Sequence, residues 1–302
     1  MFQIHQVDAP PDSLEYLGTK RKFWYRQGED RFLFKAEERG TGEDWAEKVV
    51  CELARLLGLP HVEYEMAYYP PEALRGVICP NLAPRPLSLV MGNQLLHFLD
   101  EAYPAELRKK FGIPKYTVEA VTSALNLMHA PSSPAAARVP PAADSAIGVF
   151  IGYMLLDVWA ANQDRHHENW GGVLSVSRFE LAPTFDHGSS LARNLTDGER
   201  EDRLTTTNPN RTVGYFVGRA LSEFYPADGT KPLLLIDAFR RFAAVNPPAA
   251  QAWLARLHAV TTAQIDVILE QVPPERMSQL TRRFTREVLT LNRIRLLERY
   301  TA

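Results

Sequence analysis

Cysteine, net charge and long apolar runs are all scarce in this chain, and each scarcity closes off a class of function. Its 302 residues hold two cysteines, Cys51 and Cys79, in no metal-ligand motif. Two thiols cannot build a disulfide framework, so both are expected as reduced core residues in a cytoplasmic protein. Thirty-four basic residues against 36 acidic ones leave a formal charge of −2. That balance gives no field for capturing nucleic acid or an anionic membrane, and neither partner is expected. The most apolar window, Ile147 to Leu156, is too short to span a bilayer and runs into Asp157, so it reads as a buried helix. Met1 to Asp8 has neither a basic flank nor an apolar core, and no secretory leader is expected there. What is present, 45% hydrophobic and 23% charged residues, suits a soluble globular chain, and the length suggests two domains or lobes.

The informative stretch is Asn162-Gln163-Asp164-Arg165-His166-His167-Glu168-Asn169-Trp170, followed by Pro183-Thr184-Phe185-Asp186-His187-Gly188. A hairpin over Gly172–Val176 and Arg178–Leu181 is expected between them, which puts two carboxylates and a carboxamide on loops flanking one small sheet. Magnesium takes hard oxygen ligands, keeps several waters and needs only one or two side chains, so this set suits Mg²⁺ held against a triphosphate. The spacing Asp-x-x-x-x-Asn is that of the protein-kinase catalytic loop. On that pattern Asp164 is the base that receives the acceptor's proton, and Asn169 and Asp186 are metal ligands.

Asp164-Arg165-His166-His167-Glu168-Asn169 and Pro183-Thr184-Phe185-Asp186-His187-Gly188-Ser189-Ser190-Leu191 together resemble the HipA-like kinases. The resemblance covers nearly the whole chain and is to the short form, without the N-terminal segment of HipA; phosphatidylinositol kinases share the first motif. It implies an α+β, two-lobed kinase-like fold: a small β-rich lobe over residues 1–82 and a larger helical lobe over 83–302. It also implies ATP and Mg²⁺ as cofactors, a protein serine or threonine as acceptor, and an antitoxin or other regulator as partner. A toxin role and a secreted effector role both stay open, as do two rival readings, a lipid or small-molecule kinase and a nucleotide-binding pseudokinase.

Along the chain, Tyr16 to Tyr25 reads as strand, turn, strand, and by the resemblance Gly18, Thr19, Lys20 and Lys22 belong to the loop that covers the ATP phosphates. Family members autophosphorylate on a serine of this loop, which directs attention to Thr19. Arg31 to Lys35 alternates as a strand, and Asp44 to Leu57 carries a helical apolar stripe closed by Gly58. Lys35 is the expected ATP lysine, and register against the family's helix selects Glu47 as its partner over Glu43 and Glu52. Val62–Tyr69 and Gly76–Cys79 are expected to complete an antiparallel sheet, with Cys79 to Asn81 as the hinge facing the adenine edge. After the hinge, Leu89 to Leu96 opens the second lobe.

A short helix within Thr117–Met128 and a proline-rich connection over Ala130–Pro141 precede the long apolar helix, which Asp144 or Ser145 caps. His187 to Asn210 is polar and turn-rich, the place where kinases shape the acceptor site. Leu233–Val245, Ala250–Leu257, Ala263–Gln271 and Met277–Tyr300 read as scaffold helices. The paired histidines on the loop do not have zinc-site spacing: His166 is expected to orient the loop, His167 and Glu168 to face solvent, and Arg165 to brace it. Trp45, Trp159 and Trp170 read as core.

Overall fold

The computed structural model describes residues 1–14, 21–38, 40–107, 112–132 and 138–298. It has a mixed α+β architecture. A six-stranded sheet takes the order β1-β5-β6-β4-β3-β2, built from β1 (Ile4–Gln6), β2 (Ser13–Leu14), β3 (Lys22–Gln27), β4 (Asp30–Ala36), β5 (Glu65–Tyr69) and β6 (Leu74–Pro80). Neighbours are antiparallel except at the edge, where β1 runs parallel to β5 with Ile4 opposite Met66. β5 and β6 complete the antiparallel sheet as expected, and β1, three residues long and too short for its period to show in the sequence, adds a parallel edge.

Alternation decides what each face of the sheet does. Phe23, Tyr25, Phe34, Ala36, Tyr69 and Ile78 pack on one side. The other side carries Leu33, Val77 and Cys79, which pack with Cys51, Val62 and Tyr64. Across this second side lies α1 (Glu43–Leu57), closed by Gly58 in the left-handed conformation at φ 73°, where a β-carbon would be strained. A second, three-stranded sheet of order β7-β8-β9 joins β7 (Ser88–Met91) to the expected hairpin, β8 (Gly171–Leu174) and β9 (Phe179–Leu181).

The rest is helical: α2 (Gly92–Leu99), α3 (Val118–Leu125), α4 (Ala146–Trp159), α5 (Asp197–Thr205), α6 (Val213–Gly218), α7 (Leu235–Val245), α8 (Pro247–Ala259), α9 (Thr262–Gln271) and α10 (Gln279–Leu297). α4 is buried on all sides, and its cap is Ser145, whose Oγ accepts from Gly148 N at 3.1 Å. Trp45, Trp159 and Trp170 are all core. The polar stretch after Asp186 is not wholly a loop, since it contains α5. Thr196 and Glu199 close a reciprocal capping box at its start, a signal that polarity alone hid. Among the described residues no helix is long and apolar enough to cross a membrane.

One apolar core runs from α1 through α4 to α8 and α9, so the six-stranded sheet is anchored to the helices through α1. Polar contacts repeat the link. Arg256 Nη1 donates to Leu57 O at 2.9 Å and Phe2 N to Gln271 O at 2.6 Å. Arg276 pairs with Asp44 at the start of α1, both side chains buried, and its Nη2 reaches Ala67 O on β5 at 3.3 Å. Burial pushes the Asp44 carboxyl up even with the guanidinium beside it. Removing one member of a buried ion pair strands the other, so Arg276→Leu is expected to lower the unfolding free energy by about 3–5 kcal/mol in urea titrations. A loss under about 1 kcal/mol would contradict this anchoring.

Candidate functional site

Lys35 is placed by strand periodicity. On β4 it shares the α1 side of the sheet with Leu33, and its register partner on β3 is Lys22. Two ammonium groups opposed across neighbouring strands repel each other, so this spot needs negative charge. It comes from two directions. Lys35 Nζ donates to Glu47 Oε2 on α1 at 2.8 Å and to Asp186 Oδ1 at 2.8 Å, and Lys22 Nζ lies 3.9 Å from Asp186 Oδ2. Burial alone would pull the Lys35 amine down, but Asp186 and Glu47 outweigh it and hold it well above the ordinary lysine range.

Glu47 is itself tied to the Asp186 loop, since its Oε1 accepts from His187 N at 2.6 Å. The approach is close enough that a β-carbon on Gly188 would stand 3.1 Å from Glu47 Oε2, which accounts for glycine there. Asp186 has a left-handed backbone at φ 59°, a conformation aspartate tolerates better than most residues, and its N–H donates to Tyr64 OH at 3.3 Å. Thr184 ties the same loop to the segment before β5, donating from N to Pro60 O and accepting at O from Val62 N, both at 3.0 Å.

The loop after α4 is held from within. Arg165 is buried and donates from Nε and Nη2 to the two oxygens of Asp157, each at 2.8 Å, and from Nη1 to Asn169 O at 2.8 Å. Asp157 also accepts from Asn162 Nδ2 at 2.7 Å, while Tyr116 OH donates to Arg165 O at 3.0 Å and accepts from Trp170 Nε1 at 2.9 Å. Arg165 therefore braces the loop. Its partner had a sequence signal that went unused: an aspartate ending a wholly apolar helix has to be paired.

Asp164 and Asn169 stand on this frame. Asn169 Nδ2 lies 2.7 Å from Asp164 O; a carbonyl only accepts, so the amide nitrogen must face it and the side-chain oxygen is left for another partner. Asp164 Oδ2 accepts from Ser189 Oγ at 2.8 Å, which joins this loop to the segment following Asp186. His166 sits in the turn, its N–H donating to Asp164 O at 2.8 Å and its Nδ1 accepting from Glu168 N at 3.1 Å. At the end of the sheet Cys79 is buried opposite Leu33, its thiol pushed up to about 12 by burial, and Asn81 N donates to Arg31 O at 2.9 Å. Gly18, Thr19 and Lys20 lie outside the described residues.

His167 differs from expectation. It is buried, its Nδ1 is 2.9 Å from Tyr103 OH, and its carbonyl accepts from Asn93 N at 2.8 Å, so it wedges the loop against α2. The sequence held no trace of this, because Tyr103 comes from a distant segment.

A mixed sheet with one crossing helix, joined to a helical body through an Asp-loop and an Asp-bearing hairpin exit, is the two-lobed protein-kinase-like fold. Two solved structures share it. The Helicobacter pylori proinflammatory kinase CtkA superposes with a TM-score of 0.69 at 19% identity, over 96% of each chain. HipA of a Shewanella oneidensis MR-1 toxin–antitoxin system, solved with HipB and operator DNA, gives 0.55 at 13% identity over 97% of this chain and 66% of HipA. No protein-family model and no curated protein matches the sequence. At these identities the likeness is one of fold.

Burial, with His166 adding to it, holds the His167 imidazole down to about 4. Between that value and the ordinary histidine range the unfolded chain binds a proton that the folded one does not. Stability is therefore lost as pH falls through this window, by on the order of 3 kcal/mol in full. Urea titrations at pH 7 and pH 4.5 should show the wild type losing about 2 kcal/mol more than His167→Gln. Equal losses would contradict the buried, neutral state.

Proposed function

We propose that this chain is an ATP-dependent protein serine/threonine kinase of the HipA-like type, with residues 1–82 holding the nucleotide and 83–302 carrying the catalytic loop. The observation that carries the reading is Lys35 lying 2.8 Å from both Glu47 and Asp186. A strand, the helix that follows it and a loop 151 residues further on meet at one ammonium, and a lysine fixed in this way is suited to the α- and β-phosphates of ATP. Lys22, with Gly18, Thr19 and Lys20, would cover the phosphates, and Cys79 to Asn81 would meet the adenine edge. The likeness of fold to CtkA over 96% of each chain, and to HipA, supports the same reading.

The donor set suits magnesium. Asp186 offers a partly exposed carboxylate, and Asn169 offers the amide oxygen left over by its bond to Asp164. When bound, Mg²⁺ would neutralise the charge on the transferring phosphoryl group. Asp164 would orient the acceptor hydroxyl and take its proton, with Ser189 holding the carboxylate in place. Because the transition state asks mainly for position and charge, a rigid frame around Asp164 matters more than an unusual proton affinity. Autophosphorylation within the phosphate loop, and an antitoxin-like regulator of the sort seen with HipA, extend the proposal.

Asp164→Ala and Asp186→Ala are expected to cut transfer of the γ-phosphoryl from radiolabelled ATP to protein by at least about 100-fold, with circular dichroism showing both variants folded at the assay temperature. Near wild-type transfer in both variants, or label entering only a lipid fraction, would overturn the assignment.

A further inference from the structure

We propose that Cys51, His61 and Glu63 form a binding site for a zinc-like divalent transition-metal ion, independent of the nucleotide site. Cys51 lies one helical turn beyond Glu47 on α1, and His61 and Glu63 lie in the segment that leads into β5. One ligand atom from each residue falls within 4.8 Å of the other two, and no other His, Cys, Asp or Glu trio among the described residues does so.

Glu63 Oε1 and His61 Nε2 stand about as far apart as two ligands on one ion, and the trio as a whole closes to within 4.8 Å. Glu63 Oε1 is 3.2 Å from His61 Nε2, and Glu63 Oε2 is 3.6 Å from Cys51 Sγ. Tetrahedral zinc with bonds of about 2.0–2.3 Å sets its ligand atoms roughly 3.3–3.7 Å apart.

The stronger argument is the tautomer of His61. Its Nδ1 is 2.6 Å from Leu59 O, and a carbonyl can only accept, so Nδ1 carries a proton. In the neutral ring Nε2 then presents a lone pair. That atom is buried, makes no hydrogen bond and faces a carboxylate oxygen. A ring nitrogen lone pair and a carboxylate oxygen at this distance need a cation between them or a second proton on the ring. An imidazole donating through one nitrogen to a backbone carbonyl, with the other directed at acidic and thiol groups, is how protein metal sites orient histidine.

The chemistry of the set selects the ion. Sulfur, nitrogen and oxygen together suit Zn²⁺ or Co²⁺, not Mg²⁺ or Ca²⁺. Arg55 takes Oε2 and opposes a cation there, which leaves Oε1, beside His61, as the oxygen for the metal. Binding displaces the proton of the buried Cys51 thiol, and the N–H of Tyr64, 3.5 Å from Sγ, is placed to steady the thiolate. Glu63 is half exposed and gives an entry path, while three protein ligands leave the fourth position open.

The same segment carries the Asp186 loop: His61 bridges to Thr184, and Tyr64 OH accepts from Asp186 N. An ion here would pin α1 to the strand that positions that loop.

The test uses the full chain freed of metal by chelation, then titrated with Zn²⁺ and, separately, with Co²⁺. Expected are one zinc per chain by elemental analysis with submicromolar affinity, a thiolate-to-cobalt charge-transfer band, and a melting temperature raised by zinc. The band should persist in Cys79→Ala and vanish in Cys51→Ala, and His61→Gln should weaken zinc binding at least about tenfold. Melting curves of the metal-free variants establish that they are folded. Wild type that takes up no stoichiometric zinc at about tenfold excess over a micromolar affinity, or Cys51→Ala that binds as tightly as wild type, overturns the proposal and leaves His61 and Glu63 as an imidazolium–carboxylate pair.

Discussion

The arrangement depends on one buried ammonium shared between two carboxylates. Lys35 reaches Glu47 on α1, twelve residues on, and Asp186 on the far side of the hairpin, 151 residues on. Such a group is a poor device for stability, because taking three charges out of water costs about as much as their attraction returns. Its value is positional. Every element that meets there must be right for the distances to hold: the pleat of β4, the placement of α1 and the turn at Asp186.

α1 is the piece on which this accuracy turns. One side lies on the sheet and the other packs into the helical core, with twelve of its 15 residues buried. Arg276 secures its first turn and Arg256 its last carbonyls. Glu47 is therefore held by the packing of α1 and by its bonds to Lys35 and His187 N. The second charged frame, Arg165 on Asp157 and Asn169, does the same for the loop that carries Asp164. Ser189 joins the two frames by its bond to Asp164. The proposed phosphoryl transfer, which needs position more than unusual acid–base chemistry, would be well served by two rigid pieces joined at a hydroxyl.

Much of this was legible because the signals were local. The stripe from Trp45 to Leu57 with Gly58 after it gave α1, alternation gave β4 and the side of Lys35, and the Asp164–Asn169 spacing gave the loop. What escaped was set by partners distant in sequence. His167 was expected in solvent from its place beside His166, yet Tyr103, 64 positions away, buries it. β1 is too short to carry a period, and its parallel pairing is chosen by β5. α5 was hidden because polar composition outweighed the Thr196–Glu199 box that announces it. Cys51 looked like an isolated thiol because His61 and Glu63 follow at ten and twelve residues, a spacing no common metal motif uses, and they meet only because β5 folds back beside α1.

The central claim is that Lys35 and its two carboxylates form a site for the magnesium complex of ATP. Calorimetric titration of ATP into the wild type with and without Mg²⁺, and into Lys35→Met with Mg²⁺, tests it most directly. The account predicts binding that strengthens at least about tenfold with Mg²⁺ and weakens by at least that much in Lys35→Met, with the variant still folded. Equal affinity for ATP in wild type and folded Lys35→Met, or binding indifferent to Mg²⁺, would contradict it.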